Sequence, residues 1–169
     1  MGYCGSGKST LCRELAERYH LPSLHLDTVQ FLPGWQVRNA EEKQDLVRTF
    51  LEEHADGWVI DGNYSKLYFD ERAEAADLIV LMLFNRVNCF FRCLKRYSLY
   101  RGKTRPDMTG GCPEKFDAEF MRWILWEGRG KATRERFRAV SSRYPGKVTV
   151  LKNQRQLDRF LVASKGEQP

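Results

Sequence analysis

Residues Gly2 to Thr10 read Gly-Tyr-Cys-Gly-Ser-Gly-Lys-Ser-Thr. They satisfy G-x-x-x-x-G-K-[S/T], a pattern whose chemistry follows from its residue types. Gly2, Gly5 and Gly7 let the backbone curl, so that successive amides along the run, Ser6 and Thr10 included, face a polyphosphate. Lys8 is placed to reach the β- and γ-phosphates as a point charge, and the Ser9 hydroxyl to ligate Mg²⁺. Two aspartates further on, Asp27 and Asp61, each follow a short apolar stretch. Asp61 after Val59-Ile60 suits a second Mg²⁺ ligand opposite Ser9, and Asp27 suits a group that faces an acceptor hydroxyl, as orienter or base. Either could instead be a turn or cap aspartate.

Seven basic residues, Arg86, Arg92, Lys95, Arg96, Arg101, Lys103 and Arg105, fall between Leu78 and Pro106, where there is no Asp or Glu. Such a block repels itself unless an anion lies against it. Triphosphate and nucleic acid both qualify, and so does a plain solvated face. Arg92 and Arg96 share one helical face, and Arg101 and Arg105 flank the start of an irregular segment rich in Gly and Pro. Arginines closing over a transferred phosphoryl group would neutralise its charge and exclude water.

The elements that must position these groups alternate. Leu11, Leu15 and Tyr19 predict a helix opening at the loop, whose N-terminal dipole adds to the phosphate site. Ser23 to Asp27 predicts a strand ending in a carboxylate, and Asn39 with Glu42 a capping box before a helix that Gly57 ends. Trp58 to Gly62 is a strand, Leu67 to Ala75 a short helix, Leu78 to Phe84 a buried strand and Val87 to Tyr100 the basic helix. Gly102 to Lys115 forms the irregular excursion, and Asp117 caps a long helix running past Phe120, Trp123, Ile124 and Trp126 to Phe137. Lys147 to Leu151 is the last strand, with a closing helix around Leu157, Phe160 and Leu161. This order implies an α/β fold with a parallel sheet between helices, and ligands beyond the carboxyl ends of the strands. One domain over 1–163 is expected, with a lid at about 101–116 and a disordered tail at 164–169.

Loops of this kind join a buried parallel strand to a helix, yet only Met1 precedes Gly2. The first strand is therefore expected to be missing from this numbering. A start assigned several codons late and a real truncation both fit. Either predicts a gap flanked by unpaired backbone groups, and a chain less stable than its length suggests.

Composition sets the outer bounds. With 169 residues, 42% hydrophobic and 30% charged, and a net charge of +6, the chain reads as one soluble domain with an ordinary core. No apolar run approaches membrane length, and no signal peptide is visible. Cys4, Cys12, Cys89, Cys93 and Cys112 form no paired framework, so a reducing cytoplasm is the expected location. Cys89 and Cys93 are expected as small buried hydrophobes. Cys112 is a candidate reactive thiol on the strength of its loop alone. His20, His25 and His54 have no recognisable metal partner.

The phosphate loop, His25-Leu26-Asp27, Gly34-Trp35, Asp61-Gly62-Asn63-Tyr64, Ala76-Asp77, Arg86, Lys95-Arg96, Arg101-Gly102-Lys103-Thr104-Arg105-Pro106-Asp107-Met108, Gly111-Cys112-Pro113-Glu114-Lys115 and Trp123-Ile124 together resemble the bacterial topology modulation proteins. These are small P-loop proteins related to adenylate kinase. The resemblance runs from Gly2 to about Leu161, and its most specific piece is Thr104-Arg105-Pro106-Asp107-Met108. It implies a nucleoside-monophosphate-kinase-like three-layer sandwich with a five-stranded parallel sheet and a lid. By that likeness Lys8 and Ser9 serve ATP and Mg²⁺, Asp61 matches the Asp-Gly of adenylate kinases, Arg101 and Arg105 belong to the lid, and Asn153 and Gln154 lie near adenine. Arg96 is counted with the nucleotide-binding residues.

Two departures stand out beside the missing strand. Leu83-Phe84-Asn85-Arg86 replaces the Asp-x-Pro-Arg usual in such proteins. Asn63-Tyr64 replaces the Phe-Pro-Arg that follows Asp-Gly in adenylate kinases, which removes the arginine that would hold AMP. The leading expectation is transfer of the ATP γ-phosphate to a small acceptor, a nucleoside or nucleotide among the candidates. The alternatives are an ATP-dependent regulatory or DNA-binding protein, less favoured because no DNA-binding motif is visible, and an inactive chain. The acceptor and the oligomeric state are not legible.

Overall fold

A computed structural model of the chain describes residues 1–164. In chain order the elements are α1 (Lys8–Tyr19), β1 (Ser23–His25), α2 (Leu26–Gln30), β2 (Phe31–Leu32), β3 (Gln36–Val37), α3 (Ala40–Glu53), β4 (Val59–Asp61), α4 (Phe69–Ala75), β5 (Ile79–Met82), α5 (Arg86–Tyr100), α6 (Ala118–Leu125), α7 (Lys131–Arg143), β6 (Val148–Leu151) and α8 (Gln154–Ala163).

The local signals account for most boundaries. Asn39 Oδ1 accepts from the Glu42 amide at 2.9 Å to cap α3, Asn85 Oδ1 from the Asn88 amide at 2.8 Å to cap α5, and Asp117 Oδ1 from the Phe120 amide at 2.8 Å to cap α6. Each satisfies one of the amides that a helix start leaves unpaired. Helix α1 stops where His20 turns left-handed at φ 54° and donates its amide to Ala16.

The strands lie parallel, but in two pairs. β1 runs beside β4 with Ser23 opposite Val59 and His25 opposite Asp61. β5 runs beside β6 with Ile79 opposite Val148 and Met82 opposite Leu151. The continuous five-stranded sheet implied by resemblance is not formed among the described residues. Met1 and Gly2 stand where the pairs would join. Met1 O accepts from the Met82 amide at 2.9 Å and the Tyr3 amide donates to Met82 O at 3.2 Å, so this short stretch pairs with β5 on one side. On the other side a side chain, Asn63, does the work of a strand: Gly2 N–H donates to Asn63 Oδ1 at 3.0 Å and Asn63 Nδ2 donates to Gly2 O at 2.7 Å. The short β2–β3 ribbon is antiparallel.

Period-two alternation along β5 sorts the core. Ile79 and Leu81 pack with Ala73, Phe137, Val140 and Tyr144 on one face. Met82 packs on the other with Leu11, Phe84, Cys89, Cys93, Ile124, Leu151 and Leu157. A third cluster, Leu26, Val29, Val47 and Leu67, seats α2 and α3 over β1 and β4. Burying each such large side chain contributes about 1.5–3 kcal/mol, so helices cover both faces of the strands for a physical reason.

Three expectations are corrected. β1 ends at His25, and Asp27 sits in the first turn of α2, where Thr28 Oγ1 donates to the His25 carbonyl at 2.7 Å. The long helix after Asp117 is broken between α6 and α7 by a single 3₁₀ turn at Glu127–Arg129. Gly128 and Gly130 weaken the helix there, and Arg129 fastens the break by donating to Ile124 O at 3.0 Å and Phe84 O at 2.9 Å. Ser164, assigned to a disordered tail, is buried and accepts from Arg18 Nη1 at 2.8 Å. The rest of that expected tail lies outside the described residues.

Candidate functional site

The strand ends, the phosphate loop and the Gly/Pro-rich excursion enclose one cleft of about 1050 Å³. The loop forms its floor. Gly5 at φ 74° and Gly7 at φ 98° hold left-handed conformations, and a Cβ on Gly5 would stand 2.5 Å from the Cys89 carbonyl oxygen. Only glycine fits both the dihedral and the close approach. Lys8 Nζ donates to Tyr3 O at 3.0 Å, its one bond to the loop itself. Ser6 is an exception among the expected phosphate contacts. It is fully buried, its amide and hydroxyl both turn back to Tyr3 O, and it does not line the cleft. Its carbonyl is instead held by Arg92 Nη1 at 2.9 Å.

Ser9 and Asp61 meet as the sequence predicts. The Ser9 hydroxyl donates to Asp61 Oδ2 at 2.6 Å. His25 Nδ1 stands 3.5 Å from the same oxygen, a role for that histidine that spacing alone did not reveal. Asp61 Oδ1 is buried without a hydrogen-bond partner. Burial pushes the Asp61 carboxyl up, but His25, the Lys8 charge and the Ser9 hydroxyl outweigh it and hold the group well below the usual carboxylate range. A hydroxyl and an ionised carboxylate with a free, buried oxygen form the hard oxygen set that suits Mg²⁺. Among the described residues no cluster of His, Cys, Asp or Glu forms a closed metal site.

In the same cleft, Asp27 is held at both oxygens. Tyr64 Oη donates to Oδ1 at 2.8 Å and Arg105 Nη2 to Oδ2 at 3.2 Å. Burial, then the neighbouring Asp27 charge, pushes the Tyr64 phenol far above its ordinary value, so it stays a donor. Arg105 also lies 4.0 Å from Glu114, which accepts from Arg96 Nε at 2.9 Å. Arg13 pairs with the buried Asp107 at 3.0 Å.

The excursion is docked as a roof. Gly34 N–H donates to Gly111 O at 2.9 Å, Trp35 Nε1 to Pro113 O at 3.1 Å, and Thr109 Oγ1 to Phe31 O at 2.6 Å. Cys112, a candidate reactive thiol by its loop, is buried and donates to Leu32 O at 3.2 Å. That packing makes it inert.

Lys8, Ser9, Thr10, Asp27, Asp61, Arg96 and Arg105 therefore share one cleft with Gly2, Gly5 and Gly7. Besides Ser6, two expected residues do not join them. Arg101 is exposed outside the cleft, where its backbone bridges Glu114. Asn153 also lies off the cleft wall, its Oδ1 capping α8 at 3.0 Å from the Gln156 amide. Residues that the sequence reading gave no role are Asn63, Arg13, Glu114 and Tyr64 as a ligand of Asp27. The Asp61-Gly62-Asn63-Tyr64 run was the available signal for two of them.

A glycine-lined phosphate cradle at a helix N-terminus, with a serine and an ionised strand-end aspartate beside it, defines a P-loop nucleotide-binding protein. A family model described as an AAA domain matches residues 1–122, and the chain belongs to that family. No curated protein matches the chain. No helix among the described residues is long and apolar enough to cross a membrane.

Proposed function

We propose that the chain is an ATP- and Mg²⁺-dependent phosphotransferase, akin to the topology modulation proteins and adenylate kinases, which moves the γ-phosphoryl group to a small acceptor. The observation that carries this reading is Asp27: a partly exposed carboxylate, fixed by Tyr64 and Arg105, in the same cleft as the phosphate loop. A protein that only bound nucleotide would not need a second, immobilised carboxylate facing it.

In this reading the loop amides and Lys8 take the triphosphate, and Lys8 leaves the Tyr3 carbonyl to do so. Mg²⁺ held by Ser9 and Asp61 would neutralise charge on the β- and γ-phosphate oxygens. Asp27 accepts the proton of the acceptor hydroxyl as its oxygen bonds to phosphorus. The bond from phosphorus to the β,γ-bridging oxygen breaks, and ADP leaves with that electron pair. Arg105 and Arg96 sit where they can stabilise the moving charge, with Glu114 fixing both. The docked roof excludes water that would otherwise take the phosphoryl group.

The regulatory or DNA-binding alternative rests on the basic segment, of which Arg86, Lys95, Arg101 and Lys103 are exposed. Arg92, Arg96 and Arg105 of the basic segment turn inward onto Ser6, Glu114 and Asp27 and do not form an outward stripe. The test is ADP formation with Mg²⁺ against nucleosides, nucleotides and small polyols, on wild type and Lys8→Ala. Acceptor-dependent turnover abolished in Lys8→Ala is expected. Turnover retained in that variant, or absent from wild type with every acceptor, overturns the reading.

A further inference from the structure

A second pocket of about 390 Å³ lies beside the cleft and shares Asn63, Tyr64 and Arg136 with it. Its chemistry is unlike the cleft's. Lys43, Lys66 and Arg136 line it and no carboxylate does. In the cleft, Arg13, Arg96 and Arg105 are each neutralised by Asp107, Glu114 or Asp27, although Lys8, Lys95 and Lys115 there have no carboxylate partner among the described residues. Among the described residues Lys66 and Arg136 have no ion pair or hydrogen bond, and Lys43 meets only the neutral amide of Gln30, at 3.2 Å. Arg136 Nε is shut off from solvent with no acceptor. A buried donor in that state is costly until an acceptor arrives. Three uncompensated cations around a cavity form a field that attracts anions and repels other cations.

We infer that this pocket receives an anionic group, phosphate or carboxylate, carried by the acceptor itself. The acceptor is then a hydroxylated molecule with an anionic substituent. This rests on the phosphotransfer reading above. Tyr64 is the partition between the two cavities: its hydroxyl binds Asp27 while the same residue lines the pocket. An acceptor with its hydroxyl at Asp27 and its anion beside Lys43 and Lys66 would pass along Tyr64 and Asn63, which line both cavities.

Inorganic phosphate and acetate, titrated separately into ¹⁵N-labelled Lys8→Ala protein, test the pocket with the loop site silenced. Wild type saturated with ADP replaces that background should Lys8→Ala not fold. Saturable amide shifts at Gln44, Ser65 and Lys66 are expected, with affinity lowered about tenfold or more by Lys43→Ala plus Lys66→Ala. Comparison of the two anions separates phosphate from carboxylate. In steady-state assays the same pair of substitutions should lower kcat/KM at least about tenfold for an anionic acceptor and leave its neutral counterpart unchanged. No saturable shift, shifts indifferent to the two lysines, or equal losses with both acceptors overturn the inference. Phosphate bound in the pocket by a chain that turns over no acceptor leaves the anion site standing and overturns the phosphotransferase reading instead.

Discussion

Asn63 grips the Gly2 peptide at both ends, taking its N–H at 3.0 Å and giving a proton to its carbonyl at 2.7 Å. The side-chain amide reproduces what a neighbouring strand would offer, and it joins the two strand pairs at the first residue of the phosphate loop. Asn63→Ala leaves both Gly2 groups without partners in a part-buried position. The expected loss is about 1–3 kcal/mol, read as a fall of about 3–10 °C in Tm for a domain of this size. ATP affinity should fall with it, because Gly2 anchors the cradle. Asn63→Asp should be worse than alanine, since it sets an acceptor against the Gly2 carbonyl and adds negative charge near the phosphates. Calorimetry and nucleotide titration check both; an unchanged Tm in Asn63→Ala would remove Asn63 from this role.

Asp61 gives a pH-dependent prediction. Burial raises its pKa, but His25, Lys8 and Ser9 together hold it well below the ordinary value, which is about 3.9 for an unfolded chain. An acid depressed in the folded state adds stability that is present above its unfolded value and fades as pH falls towards its folded one. The Tm gap between wild type and Asp61→Asn should therefore stay wide from about pH 5 to 8 and narrow below about pH 4. Asp61→Asn should also weaken the Mg²⁺ dependence of turnover and lower kcat at least about 100-fold. A Tm gap that grows on acidification would contradict the assignment.

Cys4 should be the first thiol to react. It half-faces the cleft, and the adjacent Cys93 thiol, aided by the charges of Lys8, Arg96 and Arg105, lowers its pKa despite burial. Thiolate is the reactive form, so its alkylation rate should already be high at pH 7.5, below the ordinary thiol value of about 8.5. Cys12 is pushed up to about 12 and Cys89 is also raised, burial leading in both, so neither should compete. ATP should protect Cys4, and its alkylation should abolish nucleotide binding. Peptide mapping after iodoacetamide at graded pH reads all three; preferential labelling of any other cysteine would refute the ranking.

The loop, the capped helices and the Asp61–Ser9 pairing were legible because each depends on residues close in sequence or on a motif with a single workable geometry. The same alternation located β1, β4, β5 and β6 but not the β2–β3 ribbon. What was illegible depends on long-range contact. That Asp27 is held at both oxygens needs Tyr64, 37 residues away, and Arg105, 78 away. The break between α6 and α7 needs Arg129 to find the carbonyl of Phe84, 45 residues away. Arg101 and Arg105 look alike in sequence, yet only Arg105 turns inward, because Asp27 and Glu114 wait there. Asn63 was visible only as part of a run, since nothing local says that an amide will stand in for a strand.

Arg105 and Tyr64 divide the support of Asp27, and the division is measurable. Tyr64→Phe removes the 2.8 Å bond to Oδ1 and leaves Arg105 on Oδ2. The carboxylate then keeps its charge but gains rotational freedom, and kcat should fall about tenfold with the KM for ATP unchanged. Asp27→Asn keeps the shape and removes the proton acceptor, so kcat should fall about 10²–10⁴-fold, again at constant KM for ATP. The KM is expected to hold because neither Lys8 nor Ser9 bonds to Asp27 or Tyr64. Since burial keeps the Tyr64 phenol protonated, the alkaline limb of the wild-type pH profile should survive in Tyr64→Phe. Stopped assays of ADP formation with a competent acceptor decide the matter. Equal effects of both substitutions on the KM for ATP would mean that Asp27 holds the nucleotide and faces no acceptor.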